Sequence, residues 1–396
     1  MLRILSHCKS LSMLIILSFL FCTAAFAVDT SEKDKQFFYM HQPYLGIRPM
    51  AMGNAFTAVA DDYNTLFYNP AGLYDIKYKN HIINLATYGA SNGKNSLTDL
   101  YTELQTAGKS TGSNRTTQLA NLTDSKYGNW YYARFAGPSY FFVKPKLGVA
   151  VIPVDGTIGI GIDRQVGPTL KIDFILDSTI AFGYAWGLDK FLPGMRFGVA
   201  TKLIHRAALK KIVPVLEYER NKDIVKSKSV QEGATVDFDA GILYTMPELV
   251  SWSKLTLGAV VRNVFDFGFK EKMQFINSGN PDNPESIQSR YDFGIKSAFK
   301  PIWRISPSLS FDVRDIGHDS NNLKKMYHAG TELKFDFGTH MDVRLLAGLN
   351  QGYLTYGISW QALWYLIEVA SYGEEIGTKD KNKENRVSTA KFSFSF

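Results

Sequence analysis

Cysteine is nearly missing from this sequence. Two serve 396 residues, and both, Cys8 and Cys22, fall within the first 22 positions. The rest of the chain can therefore build neither a disulfide framework nor a cysteine-based metal site. Histidine is sparse as well. The seven residues are scattered, with no H-x-x-x-H spacing, so no metal and no cofactor is expected. Long apolar runs are lacking: Leu11 to Phe21 falls short of the ~20 residues that a helical membrane span requires. Charge is not one-sided either. Lys and Arg number 44 against 37 Asp and Glu, a formal net charge of +7, which calls for no nucleic-acid partner. Catalytic spacing is also wanting. Gly156 to Gly161 reads GTIGIG but has neither the following helix nor the Lys-Ser/Thr of a phosphate loop. Gly108-Lys109-Ser110-Thr111-Gly112 matches G-x-S-x-G in form. It lies in a polar stretch without the preceding strand and following helix that a nucleophile elbow needs. No catalytic residues are assigned, and the chain is not expected to be an enzyme.

What the sequence has in quantity is aromatic residues and glycine. Tyr and Phe number 21 and 27, and Gly 32. This composition suits a β-rich protein with glycine at turns and tight contacts. Residues 1–27 read as a secretory signal peptide: Arg3 and Lys9 make a basic start, Leu11 to Phe21 the apolar centre, and Ala25-Phe26-Ala27 a cleavage site. Phe21 stands where a lipoprotein signal wants a small residue before Cys22. Removal of Arg3 and Lys9 takes the net charge from +7 to +5. Residues 28–76 form a lead-in and a small-residue-rich, partly helical stretch, and 77–396 the body of the protein.

Period-2 alternation dominates that body. Leu170, Ile172, Phe174, Leu176, Ser178, Ile180, Phe182, Tyr184 and Trp186 share one face, and mostly small or polar residues fill the other. Comparable runs recur at 197–203, 236–244, 291–299, 327–337 and 341–349. A soluble sandwich alternates too. Here the segments reach the ten residues that a tilted membrane strand needs, and Trp130, Trp186, Trp303, Trp360 and Trp364 sit near strand ends, where interface girdles lie. The final stretch VSTAKFSFSF alternates up to Phe396, a terminal aromatic like the assembly signal of bacterial outer-membrane barrels. The expected fold is all-β: an antiparallel transmembrane barrel of about 14 strands with a small, partly helical element in its lumen. Ser91–Asn129 and Phe265–Ser289 are expected to be external loops, Leu97 to Ala107 a short helix, and Lys210–Glu232 a charged hairpin. Helical spacing of Met50, Gly53, Phe56 and Ala60 predicts a helix over Met50–Ala60. A wall with a polar inner face would otherwise leave an open aqueous pore, so Tyr44–Leu73 is expected to act as a plug.

Tyr44–Leu73 resembles the N-terminal signature of the FadL-like outer-membrane transporter superfamily, including its PorV-like and TraF-like relatives. The matching residues are Gly46, Arg48, Met52-Gly53, Ala55-Phe56, Ala58, Ala60-Asp61-Asp62 and Tyr68-Asn69-Pro70-Ala71-Gly72-Leu73. Gly348-Leu349-Asn350-Gln351-Gly352 and Tyr372-Gly373-Glu374-Glu375-Ile376-Gly377 resemble the last hairpins of TraF-like and PorV-like members. The resemblance implies an N-terminal hatch with Gly53 and Phe56 in its helix and Asn69-Pro70-Ala71-Gly72 at its turn. It further implies a gap in the wall, for which Gly137 and Pro138 are the candidate kink. The function it implies is passive outer-membrane uptake of hydrophobic small molecules such as long-chain fatty acids. The alternative is a PorV-like barrel that docks or assembles a secretion or conjugation system. Implied partners are outer-membrane lipids and lipopolysaccharide, a hydrophobic ligand, and barrel-assembly machinery reading Phe396.

Overall fold

The computed structural model describes residues 41–396, except 93–95, 110–112, 165–167, 215–228, 248–251, 278, 280, 319–322, 339–340 and 378–381. The signal-peptide reading of 1–27 lies outside the described residues. The alternating runs form one continuous antiparallel sheet. Its segments are β1 (Asn80–Ser91), β2 (Trp130–Ala136), β3 (Ser139–Lys144), β4 (Leu147–Arg164), β5 (Pro168–Gly187), β6 (Met195–Pro214), β7 (Gln231–Thr245), β8 (Ser253–Arg262), β9 (Arg290–Phe299), β10 (Ile305–Ile316), β11 (Tyr327–Asp336), β12 (Met341–Asn350), β13 (Tyr353–Ala362), β14 (Tyr365–Glu375) and β15 (Glu384–Ser395). Sequential strands pair as neighbours, and β15 pairs with β1 over Ile82–Ser395 to Ser91–Val387, which closes the sheet into a barrel without free edges. β2 and β3 both lie between β1 and β4, end to end, so the fifteen segments occupy fourteen positions around the wall.

Which face points outward decides the class. Phe182 and Tyr184 are each 46% exposed, while Ala181 and Ala185 on the opposite face are 1% and 0% exposed. Trp186 stacks on Phe197 across β5 and β6, Tyr365 on Phe392, and Phe311 on Tyr327. A soluble protein turns such faces inward; an outward apolar and aromatic band around a closed barrel is the surface of a protein immersed in lipid. The molecule is a transmembrane β-barrel.

The two rims differ. One carries the short connections, such as 145–146, 188–194, 300–304 and 363–364. The other carries the long ones, 92–129 and 263–289. The rim of short turns is the periplasmic one by the usual architecture of such barrels. On the other rim the wall is uneven. β5 and β6 each run 20 residues and β4 18, twice the span needed to cross, so this sector stands above the membrane. The expected hairpin at 210–232 is thus partly strand, with β6 continuing to Pro214 and β7 starting at Gln231. Where a single short helix is expected in the first long loop, two form: α1 (Leu97–Lys109) and α2 (Ser113–Ser125). Leu100, Ala107 and Leu119 bury themselves against Tyr131, Ile162 and Leu170 of the tall sector. Tertiary packing on the raised wall stabilises a second helix that its polar sequence does not announce.

Candidate functional site

Residues 41–76 run inside the barrel. They contain two one-turn helices, Ile47–Ala51 and Thr65–Tyr68, and a 3₁₀ turn, Pro70–Asp75. The expected helix over Met50–Ala60 does not form. The first helix ends at Ala51, and Gly53 and Asn54 follow with φ of +65° and +63°, left-handed values that no α-helix contains. Gly53 is therefore a reversal point rather than a helical residue. Its N–H donates to Thr355 Oγ1 at 3.0 Å, and its carbonyl accepts from His328 Nδ1 at 2.8 Å. Phe56 also lies outside a helix. It is fully buried, edge-on to Tyr68 with centroids 5.3 Å apart, and the Arg48 guanidinium lies 5.1 Å from its ring centre.

Asn69 caps the 3₁₀ turn, its Oδ1 accepting from the Ala71 N–H at 3.2 Å. Its Nδ2 donates to the carbonyls of Thr57 at 2.9 Å and of Ile242 at 3.2 Å, so one side chain ties the turn to another part of the segment and to β7. Pro70 suits the first position of such a turn because it has no N–H to satisfy. Gly72 passes so close to Ala60 that a Cβ would lie 1.9 Å from its carbonyl oxygen.

The barrel meets this segment with glycine. Directly paired residues on neighbouring strands include Gly148–Gly183, Gly198–Gly241, Gly258–Gly294 and Gly330–Gly348. A Cβ on Gly198 would come within 2.3 Å of the Pro70 carbonyl carbon, and one on Gly330 within 2.3 Å of the Met52 oxygen. This belt leaves room for backbone against backbone. The pairing of these glycines across strands becomes visible only in the register.

Charge fixes what shape admits. Arg48, 1% exposed, donates from Nε and Nη2 to Glu332 at 2.7 and 3.0 Å, and from Nη1 to Asp61 and Asp62 at 2.7 and 2.8 Å. Lys296 adds a bond to Asp61 at 2.9 Å. On the seam side, Tyr63 donates to Glu368 at 2.8 Å, and Lys391 pairs with the same carboxylate. Above the segment the lumen wall carries buried ion pairs: Arg134–Asp155, Arg206–Asp177, Lys202–Asp239, and Arg262 with Asp292 and Asp315.

The start of the segment forms a strap over this ring. His41 Nε2 donates to Asp177 at 2.9 Å, and Arg134 reaches the carbonyl of Gln42 at 3.1 Å. Burial pushes the His41 pKa down from 6.5 to about 4, against the pull of Asp177. Beneath the strap, Tyr44 stacks on Phe67 at 4.2 Å and meets the inward ring of Phe141 edge-on at 5.8 Å. The space left beside Tyr44, Phe67, Lys202, Arg262 and Arg290 is about 20 Å³, room for one water.

The wall outside the strap is irregular. Gly137 and Pro138 separate β2 from β3. At the same height the β1–β15 register slips between Asn84 and Ala86, and the β4–β5 register between Ile152 and Asp155, a stretch that includes Pro153. Pro138 and Pro153 bring no N–H to the ladder. Gly137 keeps one backbone bond, to Val154 at 3.0 Å. Three neighbouring positions thus lose regular pairing together. Pro138 was read from the sequence; Pro153 and the slip in β1 were not.

Several solved structures are similar to this chain at low sequence identity. The Ralstonia pickettii toluene transporter TbuX is 10% identical, with a TM-score of 0.45 over 89% of this chain and 97% of its own. The monoaromatic hydrocarbon channel CymD is 8% identical, with a TM-score of 0.49 over 89% and 97%. A Pseudomonas aeruginosa FadL homologue is 10% identical, with a TM-score of 0.33 over 88% and 96%. No family model matches the sequence, and no curated protein does.

Proposed function

We propose that the chain is an outer-membrane channel for passive uptake of apolar small molecules, with residues 41–76 as a fixed hatch and the irregular wall at Gly137–Pro138 as the lateral way out. The observation that carries this reading is the coincidence of the wall irregularity with an apolar cluster, Tyr44–Phe67–Phe141, behind it. An axial route would drag an apolar solute past the buried ion pairs of the lumen and through a segment keyed to the wall. A lateral route leads from the apolar cluster into the bilayer, where such a solute is already soluble. Substrate chemistry follows from the route: molecules that partition into lipid, long-chain fatty acids among them.

Uptake of radiolabelled oleate and of labelled toluene by cells with and without the gene tests the reading. Faster uptake with the gene, lost on blocking the lateral route, is expected. Equal uptake of both compounds in the two strains would overturn it.

A further inference from the structure

The periplasmic rim of the barrel seam carries unbalanced positive charge. Lys77 and Lys79 lead into β1, and Lys144 and Lys146 form the tight turn from β3 to β4. The β1–β3 ladder pairs Asn80 with Val143, so one step further the register brings Lys79 opposite Lys144. Like charges placed directly across neighbouring strands are destabilising. All four lysines are exposed, and no ion pair to any of them is found among the described residues. The nearest side-chain carboxylate along the chain, Asp75, is already held by Arg196 at 2.7 Å.

Two of these lysines, Lys79 and Lys144, share the lipid-facing side. Tyr140 and Phe142 point outward on β3, and Lys144 continues their alternation. His81 points outward on β1, and Lys79 continues its alternation, while Lys77 is exposed beyond the bend at Tyr78. The Lys79 ammonium lies 5.7 Å from the centre of the Phe142 ring. Beside them stand Trp364, 66% exposed on the β13–β14 turn, and Tyr78, 80% exposed. Aromatic rings with lysine just beyond them mark the depth at which a bilayer's headgroups begin. Lysine there is drawn to anionic lipid.

The geometry points to a binding site for anionic phospholipid of the periplasmic leaflet at the barrel seam. The phosphate lies among Lys77, Lys79 and Lys144, and the acyl chains lie along Tyr140 and Phe142. The lipid supplies the counter-charge that the protein omits, and it bridges the first strand, the β3–β4 turn and the last hairpin where the barrel closes. An acidic soluble protein would match the charge. It would not account for lysines placed on the lipid-facing alternation beneath outward aromatic rings.

Native mass spectrometry of the full-length protein in detergent, titrated with phosphatidylglycerol or phosphatidylethanolamine, tests the site. Preferential retention of phosphatidylglycerol is expected. It should fall at least about tenfold in Lys77→Gln/Lys79→Gln/Lys144→Gln and also at high salt. Lys109→Gln/Lys270→Gln, on the opposite rim, should retain it. Heat-modifiable gel mobility verifies that each variant is a folded barrel. Equal retention of the two lipids, or an unchanged preference in the triple variant, would overturn the proposal. So would a patch that ignores both lipids yet binds polyglutamate.

Discussion

Arg48 ties the luminal segment to the wall through a single side chain. It is buried and faces three carboxylates, two on its own segment and one on β11. Replacing it takes the paired donor from Glu332, while Asp61 keeps Lys296, and breaking a buried pair such as Arg48–Glu332 costs about 3–5 kcal/mol. Arg48→Ala is therefore expected to loosen residues 41–76 while the barrel stays closed. Limited proteolysis should cut within the segment, while heat-modifiable mobility of the barrel is retained. Arg48→Lys should rescue little, because an ammonium cannot make the paired contact with Glu332 while also reaching Asp61 and Asp62. At the strap, His41 gives a pH dependence. Its pKa is lowered from 6.5 to about 4 in the docked state, so a released strap takes up a proton more readily than a docked one. Docking is then fully favourable above pH 6.5 and weakens as pH falls from there towards 4. The charged groups around it, Asp177, Arg206 and Arg134, are included in that shift. Protection of the amides of residues 42, 44 and 45, measured against their intrinsic exchange rates at each pH, should fall on acidification across that window, and the dependence should vanish in His41→Gln.

At the scale of elements, the glycine belt sets the tolerance of the wall. A Cβ at Gly198 or Gly330 meets backbone, which cannot swing aside. Gly198→Val and Gly330→Val are expected to expel residues 41–76 from the lumen or distort the strand, a cost on the order of the ~1–3 kcal/mol of overpacking or more. Current across a planar bilayer reads this directly: the substituted barrels should show open-pore conductance that the parent lacks. The strands themselves were legible in the sequence because outward lipid contact and inward packing impose a period of two, and Leu170 to Trp186 displays it with Ser178 as a polar break on its apolar face. The luminal segment 41–76 was legible as a non-strand element, but its local form was not. Met50, Gly53, Phe56 and Ala60 keep helical spacing, yet Gly53 adopts φ +65° because the chain must turn back against β11 and β12. The ion pairs were illegible for another reason. Arg48 and Glu332 lie 284 residues apart in the chain, and nothing in the sequence near either names the other. The wall irregularity was half legible, since Pro138 follows a glycine, while Pro153 sits within an otherwise regular run.

For the whole molecule, under the proposed uptake role, a closed barrel with a filled lumen would pass a solute either by moving its filling or by opening its wall. The filling is anchored by backbone contacts to many strands and by two buried ion networks. The wall at Gly137–Pro138 is short of ladder bonds on three adjacent positions. Opening there disturbs the least structure. The absence of cysteine from residues 28–396 makes this testable without background. A Cβ built at Gly137 lies 3.5 Å from that of Val154, within the range that a disulfide bridges. Gly137→Cys/Val154→Cys, oxidised in the membrane, should pin the β2–β3 break to β4. The decisive measurement is oleate uptake by cells carrying this pair, before and after reduction. Uptake that falls at least about tenfold on oxidation and returns on reduction is the expected result. Uptake indifferent to the state of the disulfide, with cross-linking complete, would contradict the lateral route.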